Sequence, residues 1–190
     1  MKFEYRIGYA VKVTGITVAI LWGVFFLDII NQNANFMRDI KSFGILPRQI
    51  PGLIGVLVAP FIHGNLFHLV GNSVLLALSM FLVFLLYPRK AWELSFTVVF
   101  IGGLLVWLVA RKGLHIGASG VIFGYIGFLV AAGLTGKRIV PFLLSLIILF
   151  LYGGTLLTGL MPTEGISWEG HLAGALSGMN YAWFTRKKNY

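Results

Sequence analysis

The feature that most constrains the fold is a series of apolar segments, each about as long as a membrane is thick. They run over residues 9–30, 62–86, 92–110, 117–135, 139–160 and 168–185. A helix needs about 20 mostly apolar residues to cross the ~30 Å of hydrocarbon in a bilayer. With 58% hydrophobic and 11% charged residues, a water-soluble domain of this size would expose too much apolar surface. The sequence therefore predicts an all-α membrane protein, a bundle of six transmembrane helices in a single domain over 1–190.

Basic residues between the segments indicate the orientation, because they accumulate on the cytoplasmic side of a membrane. Ten Lys and Arg lie on the side of the termini and five on the opposite side: Lys2, Arg6, Lys12, Arg89, Lys90, Lys137, Arg138, Arg186, Lys187 and Lys188 against Arg38, Lys41, Arg48, Arg111 and Lys112. We expect a multi-pass protein of a prokaryotic cell membrane with both termini in the cytoplasm. The net charge of +9 does not indicate a nucleic-acid partner, because the basic residues are scattered between apolar runs.

The connection 31–61 is the long one. It begins as a polar loop and continues as an apolar stretch from Leu53 to Ala59. That stretch is too short to span, so we expect it to lie in the membrane interface or to re-enter the membrane.

Polar side chains are costly at membrane depth, so the few that occur there are candidates for function. Three spans open with them, at His63 to Asn72, at Gly117-Ala118-Ser119-Gly120, and at Trp168 to His171. His68 and Asn72 lie one turn apart on one helix face. With six spans, the second, fourth and sixth all run from outside to inside. Their polar N-terminal ends should therefore meet near the external face.

Ser119 lies in the first turn of its span, where backbone N–H groups without intrahelical partners could bind an oxyanion. A serine hydroxyl is a weak nucleophile until a base removes its proton. His171 is the plausible base at the start of a neighbouring parallel span, whereas His115 lies in the preceding loop.

Small residues on both spans would allow Ser119 and His171 to approach, because membrane helices come close where side chains are small. They form one stripe on the fourth span and another on the sixth: Gly120, Gly124, Gly127 and Ala131, and Gly174 and Gly178.

Each element also has a plainer interpretation. A Gly-x-Ser-Gly string in a glycine-rich membrane chain is more often a packing motif, and His68, Asn72 or His171 alone could serve as a helix-packing or capping residue. His63 could be structural as easily as functional. His115, beside Arg111 and Lys112, is most simply part of a solvated loop cluster. The convergence of three polar elements at one level of the bundle is what these interpretations leave unexplained.

The three elements resemble, in order and spacing, the signature segments of the rhomboid proteases: His63 to Asn72, Gly117-Ala118-Ser119-Gly120 and Gly170-His171-Leu172-Ala173-Gly174. The resemblance implies a rhomboid-like six-helix bundle with Ser119 as nucleophile and His171 as general base. It also implies an oxyanion site formed by the Ser119 backbone N–H with His68 and Asn72. Beside this site would lie His63, Gly117, Ala118 and Phe123. The first loop would lie partly in the membrane, and the fifth span would act as a lateral gate.

The sequence departs from the family pattern at two places. A Trp-Arg pair common in the first loop of family members does not occur here, which leaves the packing of that loop in doubt. The aromatic residue one turn after the nucleophile is Phe123 rather than tyrosine, so it could stack beneath the histidine but could not donate a hydrogen bond.

The resemblance implies an intramembrane serine endopeptidase that cleaves a peptide bond in or beside a transmembrane segment of another protein. One alternative is a catalytically silent rhomboid-like protein that binds membrane proteins; such proteins typically lack the serine or the histidine. Another is a small transporter, which would need polar groups along several spans. The partners would be a transmembrane substrate and the lipid bilayer. We expect no cofactor and no metal, since the chain has no cysteine and its histidines and carboxylates form no credible ligand set.

The predicted orientation can be measured with reporter fusions. Reporters placed after Tyr190 and in the 89–91 and 136–138 loops should be cytoplasmic, and one placed in 31–41 should be external. An external C-terminus would contradict the orientation and move the polar ends of the three spans to the cytoplasmic face.

Overall fold

A computed structural model describes residues 3–34, 39–135, 139–140, 142–144, 146–147, 150, 157–158, 160–161 and 165–186. The described elements are helical, and the predicted all-α class is confirmed. They are α1 (Phe3–Ala34), α2 (Gly55–Val58), α3 (Leu66–Leu86), α4 (Ala91–Val109), α5 (Ser119–Thr135) and α6 (Trp168–Thr185). Short 3₁₀ turns occupy Ile40–Phe43, Ile50–Leu53 and Ala59–Phe61.

Three of the described helices, α1, α3 and α4, are long and apolar enough to cross a membrane. Helix α5 is apolar but has 17 residues, which corresponds to about 25 Å of helix. Helix α6 has 18 residues, among them Glu169, His171 and Asn180, which lower its mean hydropathy. The predicted fifth span, 139–160, lies for the most part outside the described residues. The number of six spans therefore stays a prediction.

Local sequence explains where α3 begins. The Asn65 side chain accepts a hydrogen bond from the backbone N–H of His68 at 2.9 Å, which is the usual role of asparagine at a helix N-cap. The helix therefore starts at Leu66, four residues after the start of the apolar segment. His63 consequently lies in the preceding connection, whereas His68 and Asn72 lie in the first two turns of α3.

The segment 39–61 packs against the end of α4 as a series of short turns. Arg48, whose φ is +59°, donates hydrogen bonds from Nη1 to the carbonyls of Leu108 at 3.1 Å and Ala110 at 2.8 Å. Gly52 lies against the backbone of Leu46, where a Cβ would overlap the chain. These contacts satisfy the carbonyls at the C-terminus of α4, which have no partner within the helix.

Helices α5 and α6 touch through their backbones. A Cβ built at Gly174 would overlap the carbonyl of Gly120, and one built at Gly178 would overlap the carbonyl of Gly124. Small residues at four-residue spacing allow this approach in membrane helices. The same contact continues at Gly127, where a Cβ would lie 2.6 Å from the carbonyl oxygen of Ala175.

Helix α4 packs across this pair through a π-helical segment, Val98–Gly102. A Cβ at Gly124 would overlap the Val98 side chain, and one at Gly102 would lie 3.6 Å from the Cα of Gly174. Gly124 therefore turns its hydrogen toward α4 and its carbonyl toward α6. The sequence placed Gly124 in a stripe of small residues between α5 and α6, and the structure shows that it contacts α4 as well. Helix α5 is thus enclosed, and eleven of its 17 residues are buried.

Aromatic side chains fill the end of the core that is remote from Ser119. Phe128 is fully buried, and its ring packs edge-to-face on Tyr87 at 4.9 Å and tilted against Tyr181 at 5.9 Å. Helix α1 packs on α3 and contributes Ala10, Leu21 and Phe25 to the same core, and its Trp22 indole donates a hydrogen bond to Ser73 at 3.1 Å.

Single methyl groups can test the backbone contact. Gly174→Ala should lower the melting temperature in detergent, because the methyl cannot enter without separating α5 from α6, and overpacking typically costs about 1–3 kcal/mol. Gly15→Ala in α1 is the matched control, because its Cβ would meet nothing within 4 Å. Equal melting temperatures for the two variants would show that the helices do not meet through Gly174.

Candidate active site

Ser119 and His171 are joined by a hydrogen bond of 2.7 Å between the serine Oγ and the histidine Nε2. Ser119 is the first residue of α5, and His171 lies in the first turn of α6. A neutral imidazole that accepts this bond at Nε2 carries its proton on Nδ1. The geometry is that of a nucleophile and its base.

The ring of Phe123 lies flat against the His171 imidazole. Their centroids are 4.4 Å apart and the ring planes differ by 3°. Phe123 follows Ser119 by one helical turn and is 9% exposed, while His171 is 7% exposed. The stack fixes the plane of the imidazole, which decides where Nε2 points.

Gly117 brings the loop before Ser119 against two polar side chains of α3. Its φ is +111°, which side chains other than glycine rarely adopt. A Cβ here would lie 2.7 Å from Nε2 of His68 and 3.2 Å from Nδ2 of Asn72. Glycine is required both by the backbone conformation and by the space. His68, Asn72 and Ser119 line one cavity, and their role as an oxyanion site stays a prediction.

His63 contacts both Asn72 and His68. Its Nε2 lies 3.0 Å from the Asn72 amide nitrogen, and its ring meets that of His68 edge-to-face at 5.1 Å. An amide nitrogen can only donate, so His63 accepts at Nε2. Burial, and next the neighbouring His68, lower the pKa of His63 to about 4, with a partial offset from the Phe61 backbone. His63, which precedes α3, is therefore neutral at neutral pH and keeps one Asn72 N–H occupied while the other stays available.

Glu169 contacts Arg111 rather than His171. Its Oε1 lies 3.5 Å from Arg111 Nε and accepts a hydrogen bond from the Arg111 backbone N–H at 3.3 Å. Arg111 also donates to the carbonyl of Ile166, so it links the loop after α4 to the start of α6. Among the described residues no group of three His, Cys, Asp or Glu is placed to hold a metal ion.

The interpretation of His115 as a solvated loop residue is wrong. His115 is 6% exposed, and both ring nitrogens are within hydrogen-bond distance of a partner, Ser167 Oγ at 2.6 Å and the Arg111 carbonyl at 3.1 Å. The charged neighbours Arg111 and Lys112 suggested that His115 is exposed to solvent, but contacts with residues distant in the sequence, such as Ser167, bury its ring. The signal that could have indicated its place is spacing, since His115 precedes Ser119 by four residues and Ser167 precedes His171 by four.

A cavity of about 940 Å³ opens in front of Ser119 and His171. His68, Asn72 and Phe123 line it, and the basic loop 111–114 forms part of its border. The polar groups of the site therefore face a space that water can enter, while the helices around it are apolar. Ala118, also predicted at the site, is buried below it in the core.

Comparison with known proteins gives consistent matches. A family model described as Rhomboid domain matches residues 51–188. An uncharacterised protein of Mycobacterium tuberculosis is 36% identical over 167 residues, which cover 82% of this chain and 68% of the relative. An uncharacterised protein of Mycobacterium leprae is 35% identical over 179 residues, covering 88% and 69%. A protein of Acanthamoeba polyphaga mimivirus, whose name describes it as a candidate rhomboid protein, is 32% identical over 139 residues, covering 68% and 73%. No solved structure matches the chain significantly.

The role of Gly117 can be separated from general backbone strain by comparing two glycines of the same loop. Gly117→Ala should slow the reaction of Ser119 with a fluorophosphonate by about 10²-fold, because the methyl displaces His68 and Asn72. Gly113→Ala is the control, since Gly113 also has a positive φ of +153° but a Cβ there would meet nothing within 4 Å. Labelling rates measured by gel fluorescence that fall equally in both variants would contradict the proposed contact.

Proposed function

The chain belongs to the rhomboid family, and on this premise we propose that it is an intramembrane serine endopeptidase. It would hydrolyse a peptide bond in or beside a transmembrane segment of another membrane protein. The family is typically one of intramembrane serine proteases, and the chain is an integral membrane protein. The proposed partners are a transmembrane substrate and the surrounding lipid.

The observation that carries the proposal is the 2.7 Å hydrogen bond between Ser119 and His171, both of which line a cavity of about 940 Å³. Polar groups at membrane depth cost free energy, so those that occur there usually have a function. A packing role for Ser119 would be met by a bond to its own helix, as Ser79 makes to the Leu75 carbonyl at 2.8 Å. Ser119 bonds instead to a histidine of another helix.

In the proposed reaction His171 Nε2 takes the proton of Ser119 as Oγ attacks the carbonyl carbon of the substrate. The tetrahedral intermediate collapses when the imidazolium gives that proton to the leaving amine, and an acyl-enzyme remains on Ser119. Water from the cavity then gives a proton to His171 and attacks the ester. The second product is a carboxylic acid, and Ser119 regains its proton.

The negative charge of the intermediate would form beside His68 and Asn72. The Ser119 backbone N–H would be a further donor, because the first N–H groups of a helix have no intrahelical partner and the helix dipole favours negative charge there. Donors that are fixed before the reaction lower its barrier, by about 2.7–4 kcal/mol for one oxyanion donor. His63 contributes by holding the Asn72 amide in one orientation.

The imidazolium that forms on His171 has the face of Phe123 against it. An aromatic face attracts a cation, by about 0.5–2 kcal/mol depending on solvent exposure. This contact takes part of the role that a buried carboxylate has in a serine-histidine-aspartate triad, since Glu169 is paired with Arg111. The proposed catalytic group is therefore a dyad.

The experiment is fluorophosphonate labelling of the purified protein combined with cleavage of a model transmembrane substrate. Wild type should be labelled at Ser119, and Ser119→Ala and His171→Ala should each lose about 10⁴-fold or more in cleavage rate while the protein stays folded.

Ser79→Ala is the matched control. It removes a buried serine from α3 that bonds only within its own helix, so labelling and cleavage should be unchanged. Failure of wild type to label or cleave any transmembrane substrate would favour a rhomboid-like protein that binds membrane proteins without cutting them.

A further inference from the structure

Besides the bonds of Arg111 to Glu169 and Ile166, two hydrogen bonds between a serine and a histidine join the chain around the start of α5 to the start of α6. The first is the 2.7 Å bond between Ser119 and His171, and the second is the 2.6 Å bond between His115 Nδ1 and Ser167 Oγ. His115 lies four residues before Ser119, and Ser167 lies four residues before His171. The proposed mechanism uses the bond between Ser119 and His171 but assigns no role to the bond between His115 and Ser167.

The surroundings of His115 determine which nitrogen carries its proton. Nε2 lies 3.1 Å from the Arg111 carbonyl, and a carbonyl can only accept, so Nε2 is the donor. In the neutral ring Nδ1 is then the acceptor, and the Ser167 hydroxyl donates to it. This arrangement has one orientation, because reversing the ring or the tautomer would leave a buried polar atom without a partner.

Ser167 sets the position of the turn that carries His171. It is the residue before α6, and its carbonyl accepts the His171 N–H at 3.2 Å. A serine at a helix N-cap normally bonds through its side chain to a backbone N–H of the first turn. Ser167 makes no such bond; its hydroxyl is directed to His115. The start of α6 is thus positioned by another segment rather than by its own cap.

His115 is itself fixed by the backbone on the opposite side. It exchanges two hydrogen bonds of 3.0 Å with Ile45, and nearby Gly117 donates to the Ala59 carbonyl at 2.9 Å. Its buried ring therefore belongs to a rigid layer formed by the 39–61 segment and the loop before α5.

The ion pair of Arg111 with Glu169 spans the same two segments but is the weaker constraint. The Arg111 side chain is 42% exposed, and exposed ion pairs typically contribute about 0–1 kcal/mol. The bond between the buried His115 ring and Ser167 is part-buried and short, at 2.6 Å, and a hydrogen bond of this kind fixes the direction between its partners more closely than an exposed ion pair does.

We propose that His115 is a positioning residue for the general base, acting through Ser167 on the first turn of α6. The inference rests on the proposed function, in which His171 removes the proton of Ser119. His115 and Ser167 border the cavity in front of Ser119, but the role proposed for His115 is to hold the turn that carries His171, not to react. Without it the first turn of α6 can shift, and a displacement of ~1 Å in a catalytic group can cost about 10²-fold in rate.

The test measures kcat per active site, with the number of active sites titrated by a fluorescent fluorophosphonate. His115→Ala and Ser167→Ala should each lower kcat per titrated site by about 10²-fold with little change in KM, because the base moves and the substrate contacts do not. A bond that only supported folding would instead reduce the number of titrated sites and leave each with the wild-type kcat.

Conservative replacements identify which bond of His115 matters. Asparagine can place an acceptor where Nδ1 was, so His115→Asn should return kcat to within about tenfold of wild type. Glutamine reaches only toward the position of Nε2, so His115→Gln should remain as slow as His115→Ala. The double variant of His115→Ala with Ser167→Ala should be no slower than either single variant, because both remove the same interaction.

Two results would overturn the inference while leaving the proposed function intact: wild-type kcat per titrated site in His115→Ala, or rescue by glutamine rather than asparagine. Fluorophosphonate attached to Ser167 in Ser119→Ala would also overturn it, since Ser167 would then be a nucleophile in its own right. Absence of both labelling and cleavage in wild type would overturn the proposed function, and this inference with it.

Discussion

The contact between the backbones of α5 and α6 is the constraint on which the site depends. Ser119 and His171 have short side chains on different helices, so they can share a hydrogen bond only if the helix axes approach closely at this level. Gly120 and Gly174 provide that approach directly beneath the pair. The stacking of Phe123 on His171 follows from the same geometry, since one helical turn after Ser119 lies opposite the imidazole. A larger side chain at this contact would therefore disturb the helix spacing, the bond between Ser119 and His171, and the stack of Phe123 on His171.

At the Ser119 end of the helices, the connecting segments are held by hydrogen bonds and by a small apolar cluster that includes Ile45, Ala59 and Ala173. Arg48 closes the end of α4, His115 pairs with Ile45 and Ser167, and Gly117 places the loop against His68 and Asn72. A cavity that admits water removes the usual penalty for polar groups at membrane depth.

Much of this arrangement could be predicted from the sequence, because it follows from a few strong physical rules. The apolar segments have the length a bilayer requires, and the alternation of spans places the N-terminal ends of every second one together. The spacing of Gly120, Gly124, Gly174 and Gly178 indicated close helices. Ser119 and His171 were predicted to meet on these grounds, and the structure brings them to 2.7 Å.

Other features had no local signal. The π-helical segment Val98–Gly102 lies within a uniform apolar run, and its geometry comes from packing against Gly124. The course of 39–61 depends on bonds to residues far along the chain, including those of Arg48. His115 was misplaced because its charged neighbours Arg111 and Lys112 suggested solvent, whereas tertiary contacts bury its ring. In each case a long-range partner determined the local structure.

The repeat of the glycine contacts has a consequence for the register of the two helices. Gly120 and Gly124 on one side, and Gly174 and Gly178 on the other, are each separated by four residues. Sliding α6 along α5 by one turn, about 5.4 Å, would bring Gly174 opposite Gly124 and preserve a smooth interface there. Small residues thus define the distance between these helices but leave their axial alignment nearly degenerate. The alignment is selected at the two ends, by the polar bond of Ser119 at one and the Phe128 and Tyr181 rings at the other, so that the residues proposed for chemistry also help to choose the fold.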